Sequence, residues 1–233
     1  MTQTQNALIV GASRGLGLGL AAELKSRGWS VVATAREAEG ARRLNALAAR
    51  PGGVLRPESV DINDDEAVAA LRRRLDGWIF DLVFVNAGIA PAHGHDALMA
   101  GRDEIALVFQ TNAVSPIRLA RRFLDRLRDG PGVVAFMSSG LGSVADNTHG
   151  YSEVYSASKA ALNSLARSLA ARLGGRRVTV LAMAPGWVRT DMGGPGAPLG
   201  VAESVRGLVD VIVARAGTLR HGFVDYRGRE LAW

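Results

Sequence analysis

The chain has 233 residues, 48% of them apolar, enough to bury one substantial core in a single domain spanning 1–233. It has no cysteine, which excludes disulfides and thiolate metal sites and suits a reducing cytoplasm. The net charge of +6 raises the question of nucleic acid, but the arginines are scattered along helical stretches without an aromatic platform, so solvated helix faces and attraction for an anionic cofactor account for them.

Apolar runs predict strands at Ala7–Val10, Val31–Thr34, Leu82–Val85, Val133–Met137, Val178–Met183 and Phe223–Val224, while Pro57 interrupts a further run over Val54–Val60. Helical periodicity falls near residues 15–27, 40–49, 64–75, 101–128, 152–173 and 202–214. Continuous apolar strands alternating with helices imply an α/β fold, a Rossmann-like doubly wound parallel sheet covered on both faces. Its active site is expected at the carboxyl ends of the strands. The sequence shows no basic-then-apolar leader and no apolar run of about 18 residues, so neither export nor membrane spanning is expected.

The first strand runs into Gly11, Gly15 and Gly17, a GxxxGxG turn that opens a helix. Glycines let backbone approach a pyrophosphate, and the helix start then offers free N–H groups and a positive dipole end. The phosphate cradle therefore comprises Gly11, Ser13, Arg14, Gly15, Leu16 and Gly17. Gly11-Ala-Ser13-Arg-Gly15 also fits the G-x-S-x-G nucleophile elbow of serine hydrolases, but Gly17 is superfluous for an elbow and no oxyanion loop of the His-Gly-Gly-Gly type accompanies it. After the second strand, where an acid would bind a ribose diol, stand Ala35 and Arg36. Arg36 and Arg14 suit a 2′-phosphate, so the cofactor expected is NADP(H), with Ala35→Asp as the change that would reverse the preference.

His93-Gly-His95-Asp96 has a metal-like look but no third ligand at a telling spacing, so no metal is expected. Further on, Tyr155 and Lys159 share one face of a helical stretch. The choice of lysine is informative, because Lys25 and Lys159 are the only lysines among 28 basic residues. A cation roughly 5 Å from a phenol would favour phenolate by about 3 kcal/mol at an effective dielectric of about 20, enough to bring an ordinary tyrosine near its working range.

Gly11/Gly15/Gly17, Asp61-Ile62, Asn86-Ala87-Gly88, Asn112, Ser138-Ser139, Tyr155-x-x-x-Lys159 and Pro185-Gly186-x-Val188-x-Thr190 stand in the order seen in short-chain dehydrogenase/reductases, and the chain resembles that family from Leu8 to Trp233. The stretch Ser138–Asn147 and the ending Gly222–Trp233 resemble the C-factor-like subgroup. The resemblance implies hydride transfer between NADP(H) and a small carbonyl or alcohol substrate, most simply as a carbonyl reductase; a non-catalytic NADP-binding regulatory or signalling protein is the alternative. It implies that Tyr155 donates a proton, Lys159 lowers its pKa and holds the nicotinamide ribose, Ser139 bonds the carbonyl oxygen, and Asn112 anchors a water. Asp61 and Ile62 would meet the adenine, Asn86, Ala87 and Gly88 the adenine and ribose, and Pro185, Gly186, Val188 and Thr190 the nicotinamide end.

Ser139 precedes Tyr155 by 16 residues, longer than the family's usual interval, which would land on Gly142. Ser138 and Ser143 therefore compete with Ser139. Asp146, Asn147 and His149 ride on the longer loop, whereas the segment after Thr190 is short and glycine-rich, suggesting an open pocket. Trp187 either walls the nicotinamide pocket or packs. The resemblance also implies a homodimer or homotetramer paired through the helices near 101–128 and 152–173, where Leu162, Leu165, Leu169 and Leu173 could face core or partner.

Overall fold

Seven parallel strands form one sheet in the order β3-β2-β1-β4-β5-β6-β7 in a computed structural model that describes residues 4–91, 96–218 and 221–233. The strands are β1 (Asn6–Val10), β2 (Ser30–Ala35), β3 (Leu55–Ser59), β4 (Leu82–Val85), β5 (Val133–Met137), β6 (Thr179–Ala184) and β7 (His221–Asp225). The helices between them are α1 (Gly15–Ser26), α2 (Ala38–Ala48), α3 (Asp65–Arg74), α4 (Arg102–Phe109), α5 (Ser115–Phe123), α6 (Glu153–Arg172) and α7 (Val201–Arg215). Pro57 sits in β3, an edge strand, where a missing N–H is tolerated.

Alternation along each strand supplies two cores. Ala7 and Ile9 of β1 join Leu20, Leu24, Leu208 and Ile212 on one face, while Leu8 and Val10 join Phe80, Phe123, Leu162 and Phe136 on the other. Leu162, Leu169 and Leu173 are buried in the second core and Leu165 packs against it, so the leucine series faces the interior rather than a partner. Among the described residues no helix is long and apolar enough to cross a membrane.

The long helical stretch expected over 101–128 is broken. Between α4 and α5 the backbone widens into a π-helical segment, Gln110–Val114, and a 3₁₀ turn follows at Leu124–Arg126. Pro116 explains the widening: in a regular helix its nitrogen would bond the carbonyl of Asn112, but it has no proton and its ring would clash there. Periodicity could not show this, because the apolar pattern continues through the bulge.

Candidate active site

The carboxyl ends of β1, β2, β4, β5 and β6 open on a cleft of about 1840 Å³. At its floor the chain makes the tight turn that the glycines permit. Gly11 has φ +85°, and Asn86 donates from Nδ2 to its carbonyl at 2.6 Å. A Cβ on Gly17 would overlap the Gly11 carbonyl oxygen, so the α1 backbone can lie this close to β1 only without one. No side chain caps α1 at Arg14 and its first turn carries no acid, leaving N–H groups and the dipole free for an anion. The turn residues Gly11, Ser13, Arg14, Gly15 and Leu16, with Asp61, Ile62, Asn86, Ala87, Gly88, Pro185, Gly186, Val188 and Thr190, line the cleft, Thr190 beside Gly15 and Gly88 beside Lys159.

Guanidiniums border the β2 end, each with a carboxylate. Arg14 pairs with Asp191 at 2.5 Å across the cleft, and Arg36 pairs with Glu37 at 2.8 Å and lies 3.9 Å from Asp61. Arg43, absent from the sequence expectation, also lines the cleft, with one arm on Glu39 at 2.8 Å and the other toward the Ser13 carbonyl at 3.5 Å. Its signal was present but weak: it stands on the second turn of α2, whose Gly40 packs on Ser13. Ala35 departs from the expectation. Strand alternation buries it with Ala33, beside Gly40 and near Ser13, while Thr34 and Arg36 border the cleft.

At the β5 end the three serines separate. Ser139 pairs with the Tyr155 hydroxyl and also accepts the Leu141 amide at 3.2 Å, Ser138 donates to Asn163 Oδ1 at 2.6 Å, and Ser143 accepts from the Asp146 amide at 3.0 Å. Gly142, reached by the family's usual interval, packs directly on α6: a Cβ there would lie about 3.1 Å from Lys159 and 3.0 Å from Asn163. The 3₁₀ turn Gly140–Gly142, not foreseen from the sequence, takes up the extra length and sets Ser139 in its place.

Both lysines are buried, and both donate to backbone carbonyls. Lys25 bonds Arg50 and Gly53 oxygens at 2.6 and 2.7 Å, and Lys159 bonds the Met137 oxygen at 2.9 Å. A compact ammonium fits such a pocket where a guanidinium fork would not. Lys159 Nζ also lies 5.7 Å from the Tyr155 ring centre. The expected pKa effect, however, is reversed. Burial pushes the Tyr155 phenol up to about 12, only partly offset by the Ser139 hydrogen bond, and burial brings the Lys159 ammonium down to about 8. Desolvation is the largest influence on each charged form.

Asn112 is fully buried, and its amide is committed to protein. Oδ1 accepts from the Ile89 amide, and Nδ2 donates to the Ile89 carbonyl and to Ser158, at 2.8, 2.8 and 3.0 Å. The side chain thus pins the segment that leaves β4. Gly88 leaves the space between them: a Cβ on it would lie 3.2 Å from both Asn112 Oδ1 and Lys159 Nζ. Trp187 is 61% exposed at the cleft and donates its indole N–H to the Gly193 carbonyl. His93 and His95 lie outside the described residues; Asp96 accepts from the Leu98 amide.

A family model described as enoyl-(acyl carrier protein) reductase matches residues 11–206. The chain belongs to the short-chain dehydrogenase/reductase family. It is 43% identical to a short-chain dehydrogenase/reductase from Burkholderia multivorans crystallised with bound NADP, over 99% of this chain and 100% of that one, with a TM-score of 0.93. A carbonyl reductase from Pseudomonas aeruginosa PAO1 in complex with NADP is 43% identical over the same shares, with a TM-score of 0.91. The C-signal protein of Myxococcus xanthus is 40% identical over 131 residues, 56% of this chain and 79% of that protein.

Proposed function

We propose that this protein is an NADPH-dependent carbonyl reductase. The observation that carries the reading is the placement of Tyr155, bonded to Ser139 and near the Lys159 ammonium, in a cleft whose far end presents Arg14, Arg36 and Arg43. The glycine cradle and the uncapped start of α1 fit the pyrophosphate of NADP(H), and the arginines fit its 2′-phosphate. When bound, that cofactor supplies the hydride to the carbonyl carbon.

The chain's own residues handle the proton. Ser139 donates to the substrate oxygen as negative charge develops there. Tyr155 transfers its phenolic proton to that oxygen, and its raised pKa suits this direction: the phenol stays protonated at neutral pH, and an alkoxide is a far stronger base than a phenolate. Lys159, held by the Met137 carbonyl, would hold the nicotinamide ribose. The backbone carbonyl of Asn112, four residues before Pro116, would take the water assigned to this residue and lead a reprotonation path to Lys159. The proton-handling set is complete, which favours an enzyme over a non-catalytic regulator.

The substrate is a small molecule, and a cytoplasmic setting suits a chain without cysteine. Homo-oligomers would form through the outer side of α6, where exposed Ala157, Ser164, Ser168 and Ala171 allow close helix approach. A monomeric mass by light scattering at micromolar concentration would remove that pairing. For the activity, NADPH oxidation is followed by absorbance against ketones, aldehydes and quinones. Turnover of at least one class supports the reading, and binding of NADPH without turnover on the whole panel points to a regulator.

A further inference from the structure

The chain beyond β7 is tied to the loop that leads into the catalytic helix. After Asp225 a turn closed by Arg227 and Arg229 amides on its carboxylate sends the chain back along the outer edge of β7. The Leu231 amide bonds the Phe223 carbonyl at 2.9 Å, and Val224 bridges Glu230 in antiparallel fashion. Leu231 lines the cleft, together with Tyr226 and Arg229 of the same segment. Trp233 then folds onto the base of β7. Its ring centre lies 4.8 Å from His221 and 5.4 Å from Phe223, with the Arg167 guanidinium of α6 5.8 Å above it.

The carbonyl of Trp233 accepts the Ala145 amide at 3.0 Å. Ala145 belongs to the long loop between Ser139 and Tyr155, whose two ends are held by α6: Asn163 donates to the Gly142 carbonyl at 3.1 Å and Ser156 to the Tyr151 carbonyl at 2.9 Å. Between those anchors, the bonds from Asn147 to Val144 and from Thr148 to Asp146 stay within the loop. Local bonds of this kind fix a shape but not its place on the body. The far end of the loop carries Tyr151, 63% exposed and lining the cleft, and Ser152, held at φ +50°, an uncommon conformation for a residue other than glycine. Tyr155 follows one helical turn later.

We propose that Trp233 is a positioning residue for the substrate. Its ring, clasped by His221, Phe223 and Arg167, holds its own carbonyl where Ala145 needs it and so fixes the loop that presents Tyr151 beside Tyr155. The clasp acts on the carbonyl substrate and not on the cofactor, whose phosphates would be held across the sheet at β1 and β2. This inference rests on Tyr155 being the proton donor, but it is tested without that assumption in its first arm.

Hydrogen exchange on the ligand-free wild type, Trp233→Ala and Trp233→Phe reads the loop directly. The Ala145 amide should exchange roughly tenfold faster in Trp233→Ala and return toward wild type in Trp233→Phe. With a ketone that the wild type reduces, Trp233→Ala should raise KM about fivefold while kcat and the Kd for NADPH stay within about twofold. Ala145→Pro removes the amide proton and leaves the aromatic clasp intact, and should reproduce the rise in KM. Unchanged exchange in Trp233→Ala overturns the clasp. Faster exchange with an unchanged KM, or a rise in KM matched by an equal loss of NADPH affinity, overturns the positioning role. If the wild type reduces no carbonyl, the proposed activity fails while the exchange result still decides whether the clasp holds the loop.

Discussion

The two ends of the cleft handle charge in opposite ways. At the β2 end, Arg14 and Arg36 are more than half exposed, Arg43 is also exposed, and each rests on a neighbouring carboxylate. Exposed pairs of this kind contribute only about 0–1 kcal/mol, so exchanging a carboxylate for a ligand phosphate costs little. At the β5 end, Lys159 is buried and Tyr155 half-buried at the cleft, with hydroxyl and carbonyl partners rather than counter-ions, and both are driven toward their neutral forms. Exposed, paired cations suit the capture of an anion. Buried groups with displaced pKa values suit the movement of a proton, because a change in the nearby charge then alters their protonation strongly.

The largest test of this contrast is Tyr155→Phe, which should lose at least about 100-fold in turnover while NADPH binds as before. Normal turnover would remove the phenol from the chemistry and leave the β5 end merely buried. Gly17→Ala strikes the other end. The added methyl would overlap the Gly11 carbonyl, and strain of about 1–3 kcal/mol should weaken NADPH binding by tenfold or more, as measured by titration. An unaltered affinity would mean that the cradle is not where phosphates bind.

Arg36→Ala should weaken NADPH about tenfold and leave NADH nearly unchanged, since a charge-assisted contact contributes about 1.5–3 kcal/mol. Equal losses for both cofactors would refute phosphate recognition here. Arg36→Asp, on the cleft side, should reverse the preference, whereas Ala35→Asp should lower the melting temperature by burying a carboxylate in the core.

The smallest effect is on stability against pH. Lys159 gives up its proton near 8 when folded but near 10.5 in the unfolded chain, so between those values the unfolded state binds more protons and stability rises with pH. The slope is at most about 1.4 kcal/mol per pH unit and should vanish in Lys159→Met, as read from urea midpoints at several pH values. Tyr155 acts oppositely: it keeps its proton to about 12 against 10 unfolded, so its contribution falls as pH rises through that window. A Lys159→Met profile parallel to wild type would show that the ammonium is not desolvated.

The strands of the sheet, the glycine turn and much of the cleft lining were legible in the residues alone. The apolar runs 82–85 and 133–137 became strands with those bounds, and Pro57 did not prevent β3, because an edge strand spares the missing N–H. These features depend on local sterics and on the periodicity of burial, which neighbouring residues encode. Other features depended on groups far apart in the chain. Only the fold could separate Ser139, at the cleft beside Tyr155, from Ser138, buried against Asn163, and Ser143, buried away from the cleft lining. Only the fold could turn Ala35 inward, bring Arg43 to the cleft and send the leucines of α6 into the core. It also reversed the expected behaviour of Tyr155. Charge spacing along a helix can be counted from residue numbers, but desolvation depends on every element packed around the pair, and here it is the larger effect.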